Sequence, residues 1–143
     1  MSTLELAPLI RDHCFCLQLQ RAARLLARRY DEAFRPLGLT SWQFSLLVAL
    51  STREPPSVSR IAELLDSDRT TVTACLKPLE RRGLIVSATS VRDRRQRLVK
   101  LSASGRALLT RAIPRWRRLQ TQTARLLASD SAALRRALAK FAG

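Results

Sequence analysis

"SVSRIAELLDSDRTTVTACLKPLERRG", residues 57–83, reads as two short helices joined by the polar turn Asp66–Ser67–Asp68. Ser57 is placed to cap the first helix, which carries Val58, Ile61, Ala62, Leu64 and Leu65 at helical spacing. Ser67 or Asp68 caps the second, which runs to about Arg82 and stops at Gly83, a residue suited to the position just past a helix end. Pro78 lies inside it. With no N–H to offer the carbonyl of Ala74, it predicts a bend or an early stop there.

The two faces of the second helix separate. Val72, Leu76 and Leu79, spaced by four and three, are expected to face the core. Arg69, Thr73 and Lys77 recur every four residues on another face, with Thr70 beside them. Arginine can make a bidentate contact to guanine, threonine can bond a base edge or touch a thymine methyl, and lysine reaches phosphate. An ordinary amphipathic helix with a solvated face shows the same pattern, so the residues C-terminal to Gly83 decide between the two.

Next in the chain stands "LIVSAT" (84–89), apolar and β-branched, and then "SVRDRRQRLVKL" (90–101), with five arginines and lysines and one aspartate in twelve positions. The two runs predict a β-hairpin with its tip near Val91–Arg95; Leu84 and Val86 alternate on one strand, Val99 and Leu101 on the other. Like charge on a narrow tip gains nothing for the fold. A helix-turn-helix succeeded at once by a hairpin is the winged-helix order, and tip arginines suit a minor groove, where negative potential concentrates. The candidate contacts to double-stranded DNA are Arg69, Thr70, Thr73 and Lys77 on the helix and Asp93, Arg94, Arg95 and Arg97 on the wing. Asp93 is placed to orient the Arg95 guanidinium.

Outward from this centre the pattern is helical. From Leu9 to Phe34, residues Leu19, Ala22, Ala23, Leu26, Tyr30, Ala33 and Phe34 predict one helix of about 25 residues. "PLGL" (36–39) breaks it, and Thr40 with Gln43 opens the next helix as a capping box, with Phe44, Leu47, Val48 and Leu50 as its apolar residues. Ser102 caps a long helix over 103–128, which Pro114 is expected to kink, and "ASDSA" restarts one that carries Leu134, Leu138 and Phe141. The fold class is mostly α with a small β-hairpin wing.

Composition narrows the function. The 143 residues suit one domain, and no run reaches the roughly 20 apolar residues of a membrane-spanning helix. "MSTLELAPLIRDHC" lacks a basic-then-apolar leader, so a cytoplasmic location and no membrane partner are expected. The net charge of +15 points to a polyanionic partner. The balance is uneven: residues 101–143 hold nine basic residues and a single acid, Asp130. One histidine and three cysteines cannot assemble a zinc site, so neither metal nor cofactor is expected. Without a Cys-His-carboxylate set, a Gly-rich phosphate loop or paired acids, the chain does not read as an enzyme. A non-specific architectural nucleic-acid-binding protein stands as the alternative on charge alone.

"GLTSWQFSLLVAL" (38–50), "SRIAELLDSDRTTVTACLKPLERRGLI" (59–85) and "VRDRRQRLVKLSASGRALL" (91–109) resemble successive blocks of the MarR family of bacterial transcriptional regulators. The resemblance runs from about residue 10 to 127. It implies an intertwined helical homodimer, with 1–36 and 102–143 interleaved as the dimerisation helices and 37–101 as the DNA-binding lobe. It also implies a palindromic operator, usually repressed, with 68–80 as the recognition helix and Asp93 and Arg95 as the Asp-x-Arg wing motif. Pro78 departs from the family pattern.

The resemblance extends to sensing. The organic hydroperoxide resistance branch detects oxidants through one cysteine of its first helix; counted back from "PLGLT", Cys16 matches it and Tyr30 matches a tyrosine that bonds to it. A second tyrosine of that branch is replaced here by Gln20. Cys14, two residues from Cys16, points to a different face and is poorly placed to bridge it. Both cysteines also read as small buried residues of a helical seam. The family's other mode is a small aromatic ligand between the dimer helices and the DNA-binding lobe; Trp42, Phe44, Trp116 and arginine-rich walls are candidates for such a cleft, and Trp42 and Phe44 read equally as core. Cys75 reads as packing.

Overall fold

The computed structural model describes residues 1–143. Helices α1 (Thr3–His13) and α2 (Phe15–Phe34) lead through a 3-10 turn (Arg35–Leu37) into α3 (Ser41–Ala49), α4 (Val58–Leu64) and α5 (Arg69–Arg81). A hairpin of β1 (Ile85–Thr89) and β2 (Arg97–Leu101) comes next, then α6 (Ala103–Leu127), α7 (Asp130–Ala139) and a last 3-10 turn (Lys140–Ala142).

Local chemistry starts and stops these elements where the sequence predicts. Thr40 and Gln43 form a reciprocal capping box, Ser57 accepts from the Arg60 amide, and Ser102 accepts from the Gly105 amide. Asp68, rather than Ser67, caps α5. Gly38 and Gly83 take positive φ of 64° and 69°, the left-handed region that glycine enters without a Cβ clash. At Gly83 the closure is a Schellman motif: its amide donates to the Glu80 carbonyl at 2.9 Å and the Leu84 amide to that of Leu79 at 3.0 Å.

The core lies where α3, α4, α5, the hairpin and the middle of α6 meet, around Leu46, Leu47, Ile61, Val72, Leu76, Leu79 and Val99, all sealed from solvent. The strands pair antiparallel from Ile85↔Leu101 to Thr89↔Arg97. The free edge of β2 is covered: the Val99 amide donates to the Pro56 carbonyl at 3.0 Å, and Ser57 bridges to Leu98.

Four expectations are corrected. The first long helix is two, broken at Cys14, whose backbone is extended (φ −76°, ψ 112°). The Gln18 side chain reaches back to the carbonyls of Arg11 and Asp12 at 3.0 and 3.4 Å and replaces two helical donors there. Val86 faces outward, half-exposed, while Ile85 is buried. The reason is that Leu84 belongs to the helix closure, so strand alternation starts one residue later than the apolar run suggests. On α3 and α4, Val48 and Leu64 are exposed, and Leu46 takes the core position. Pro78 does not stop α5, because it sits in the last turn with a φ that a helix shares.

Candidate nucleic-acid interface

The exposed polar face of α5 is set from the helix N-terminus. Asp68 accepts from the Thr71 hydroxyl and the Thr71 amide, both at 2.7 Å. These two bonds hold its carboxyl below the usual aspartate range, with the hydroxyl contributing most. The cap fixes where the helix begins and hence which residues face out. Val72, Leu76 and Leu79 are fully buried. Arg69, Thr70 and Lys77 are exposed and Thr73 is half-exposed, together with Ala74 lining one open groove. The face separation predicted from spacing is present.

The wing tip is a closed turn. The Ser90 amide donates to the Gln96 carbonyl at 2.8 Å, and the Gln96 amide donates to that of Asp93 at 2.9 Å. The Ser90 hydroxyl, nearly buried, accepts from the Asp93 amide at 3.3 Å. Asp93 Oδ1 accepts from the Arg95 amide at 3.0 Å and from Arg95 Nε at 3.4 Å. Asp93 therefore shapes the turn first and steers the guanidinium second. Arg95 is 93% exposed, and Arg94 is exposed beside it. The tight turn holds both cations out in water.

Helix and wing converge. A cleft of about 210 Å³ is walled by Arg69 and Thr73 of α5, by Arg95, Gln96 and Arg97 of the wing, and by Ser57–Ser59 at the start of α4. Arg97 differs from its neighbours: its Nη2 donates to Glu80 Oε2 at 2.6 Å and to Ser87 Oγ at 2.7 Å, which leaves it half-buried. The acids at the head of α5 and at the wing tip, Asp68 and Asp93, are each engaged by their own turn.

The candidate sensor residues are not brought together within one chain. Cys16 and Tyr30 share α2 and lie roughly 20 Å apart along its axis at about 1.5 Å rise per residue. The exposed Cys16 accepts from Gln20 Nε2 at 3.2 Å, and Cys14 is half-buried at the α1–α2 break. The Tyr30 hydroxyl accepts from Gln120 Nε2 at 3.0 Å, and partial burial raises its pKa. Phe44 is core, stacked on Phe34 with centroids 4.6 Å apart, and Trp42 is partly buried against the same core. A cavity of about 470 Å³ between α2 and α6 is lined by Ala33, Pro114, Leu119, Gln122 and three arginines, and by none of Trp42, Phe44 and Trp116.

Sequence reasoning missed two residues of this region. One is Glu80, the acid that engages Arg97; an opposite charge at the end of α5 is its only signal. The other is Gly105, in the first turn of α6, where a Cβ would collide with the Leu84 carbonyl.

The winged-helix arrangement is that of known regulators. A model of the MarR family matches residues 39–96. The organic hydroperoxide resistance transcriptional regulator of Bacillus subtilis is 31% identical over 102 residues, 71% of this chain and 69% of that protein. The chain belongs to the MarR family. A second Bacillus subtilis member, the HTH-type regulator YwoH, is 36% identical over 85 residues, and the match spans 59% of this chain and 61% of YwoH. Among solved MarR-type structures, the transcriptional repressor CouR bound to a 23-mer DNA duplex superposes with a TM-score of 0.84 at 31% identity, covering 99% of this chain and 100% of that one. The M. tuberculosis regulator MosR in complex with DNA gives 0.80 at 38% identity, covering 91% and 94%. This chain is thus a MarR-family transcriptional regulator, mostly helical with a two-stranded wing, and none of its helices is long and apolar enough to cross a membrane.

Proposed function

We propose that this MarR-family regulator binds a palindromic double-stranded operator as a homodimer in the cytoplasm and represses transcription from it. The observation that carries this reading is the cleft where Arg69 and Thr73 of α5 meet Arg95 and Gln96 of the wing. One element enters the major groove, the other the adjacent minor groove, and Arg69, Thr70, Thr73, Lys77, Arg94 and Arg95 make the contacts. The repulsion among these cations is relieved when phosphates neutralise them and release counterions.

The dimer follows from the apolar surface a single chain leaves uncovered. Leu9, Ile10, Leu138 and Phe141, on the first and last helical segments, are 51%, 57%, 44% and 75% exposed. Apolar side chains at both ends of the chain need a cover, and a second copy supplies the same residues in return. The segments 1–36 and 102–143 form that seam, and 37–101 is the DNA-binding lobe. Sedimentation of the full chain at micromolar concentration checks this: a species of 16.1 kDa would refute it.

For release of DNA the reading favours an oxidant acting at Cys16. In a single chain the thiol is exposed, and Gln20 donates to its sulfur from the position where the hydroperoxide-sensing branch carries tyrosine. Cys16 and Tyr30 pair only between two copies whose α2 helices cross. The test is fluorescence anisotropy of the reduced protein on duplex DNA from immediately upstream of its own coding sequence, repeated with one equivalent of an organic hydroperoxide. Salt-sensitive binding that peroxide abolishes, and that Cys16→Ser protects, is expected. Binding indifferent to peroxide makes the cysteines structural and transfers release to a small aromatic ligand.

A further inference from the structure

The wing carries arginines that face water and one that does not. Arg94 and Arg95 are exposed, while Arg97 sits at the first position of β2 with its guanidinium engaged by α5 and β1. The bonds close a ring. Arg97 Nη2 donates to Glu80 Oε2 at 2.6 Å and to Ser87 Oγ at 2.7 Å, and the Ser87 hydroxyl donates to Glu80 Oε1 at 2.8 Å. Each residue stands on a different element: Glu80 in the last turn of α5, Ser87 in β1, Arg97 in β2. Ser87 and Arg97 belong to register pairs two apart, Ser87↔Val99 and Thr89↔Arg97, so they share one face of the ribbon as diagonal neighbours.

Apart from the helix-closing bonds at Gly83 and Leu84, these are the hydrogen bonds that join α5 to the hairpin. A two-stranded ribbon is weakly determined by itself, and its tip extends beyond the last ladder pair. The angle between recognition helix and wing tip therefore depends on the contacts that tie the ribbon's base to the helix. The carboxylate responds to the ring as well: the Ser87 hydroxyl and then Arg97 hold the Glu80 pKa below its ordinary value.

We propose that Glu80, Ser87 and Arg97 are positioning residues, a latch that sets the pitch of the wing against α5, so that Arg97 acts on DNA through the placement of Arg94 and Arg95 and not by contact. The proposal rests on the reading of α5 and the wing as the DNA-binding face. It reassigns Arg97, which its charge and place in the sequence put among the DNA contacts.

The two roles predict opposite results for Glu80→Gln. If Arg97 contacts phosphate, removing its acid partner frees a cation and strengthens binding. If Arg97 is part of the latch, the same change loosens the wing and weakens binding, by about fivefold for a half-exposed charged bond. The probe is the duplex that the wild-type full-length protein selects from a random-sequence pool, titrated by anisotropy at fixed salt. Arg97→Glu is expected to bind more weakly than Glu80→Gln, and the swapped pair Glu80→Arg with Arg97→Glu to recover to within about threefold of wild type, since a reversed ion pair restores the tie. Ser87→Ala, which leaves both charges in place, serves where a charge variant fails to fold, and is expected to weaken binding in the same direction. Thermal unfolding of each folded variant separates loss of pitch from loss of stability.

Glu80→Gln binding as tightly as wild type or tighter, or a swapped pair as weak as Arg97→Glu alone, overturns the latch. So does Ser87→Ala at wild-type affinity. Arg95→Ala reports on the underlying reading: a pool that yields no selected duplex, or Arg95→Ala at full affinity on a selected one, counts against the DNA-binding face itself.

Discussion

Replacing Gly105 by alanine is expected to destabilise the fold, although alanine is the better helix former. Gly105 is buried in the first turn of α6, where the helix is pressed against the start of the hairpin. The Ser102 amide donates to the Leu84 carbonyl at 3.0 Å, and the hydroxyls of Ser102 and Ser104 donate to the Gly83 carbonyl at 2.6 and 2.8 Å. A methyl on Gly105 would overlap the Leu84 carbonyl oxygen and stand 3.0 Å from its carbon. Backbone, not a flexible side-chain tip, is in its way, so α6 has to back away and stretch those bonds. Overpacking costs about 1–3 kcal/mol, and loss of two neutral hydrogen bonds adds about 1 kcal/mol each. The gain in helix propensity returns about 1 kcal/mol, which leaves a net loss of about 2–4 kcal/mol. Urea unfolding monitored by circular dichroism measures it, at one fixed protein concentration because dissociation is coupled to unfolding. Gly83→Ala is the control: nothing lies within 4 Å of its Cβ, so it costs only the strain of a left-handed backbone, about 1–2 kcal/mol. An unchanged or raised midpoint for Gly105→Ala would refute the close approach.

Three further outcomes are expected. Arg95→Ala should weaken binding without moving the unfolding midpoint and should lower the salt slope of log affinity by about two for a dimer with two wings; an unchanged slope removes Arg95 from the phosphate contacts. Thr73→Ala should relax sequence preference at one position per half-site, by roughly 1–3 kcal/mol between best and worst base, and an equal loss on every duplex would put Thr73 on the backbone instead. Asp68 has a folded pKa below the ordinary aspartate value, so its share of stability is complete above that value and is lost as pH falls through the lower folded one. Asp68→Asn keeps a capping oxygen and loses the titration; the acid limb of the midpoint-against-pH curve should flatten, and an unaltered limb shows that other carboxylates carry it.

Most of the fold is legible in the sequence because its signals are local. Caps at Thr40, Ser57 and Ser102, the stop at Gly83 and the stripe of Val72, Leu76 and Leu79 each depend on residues within four positions. Two departures have causes that local pattern does not carry. The break at Cys14 is stabilised by Gln18 reaching across it to Arg11, and no periodicity records a side chain bonding backward over a helix end. The apolar run puts Val86 on the wrong face because it counts Leu84 in the strand, whereas the Leu84 amide closes α5. A period of two has no tolerance for an origin displaced by one.

The site divides along the same line. Exposure and charge sign at Arg69, Lys77, Arg94 and Arg95 follow from the sequence, since an exposed cation on a capped helix or tight turn has little else to do than meet solvent or an anion. Arg97 has an alternative. Its nearest acid in the chain, Asp93, is committed to the turn, and the acid that takes it, Glu80, stands 17 residues away across a helix end and a strand. Only the pairing of Thr89 with Arg97 places that guanidinium over Ser87 and Glu80. A count of arginines in the wing therefore overstates the cations free for DNA, and the surplus is the part that fixes geometry. If that division holds, positions 94 and 95 set how tightly the protein holds any duplex. Positions 80, 87 and 97 set how well the wing and the helix fit the same one.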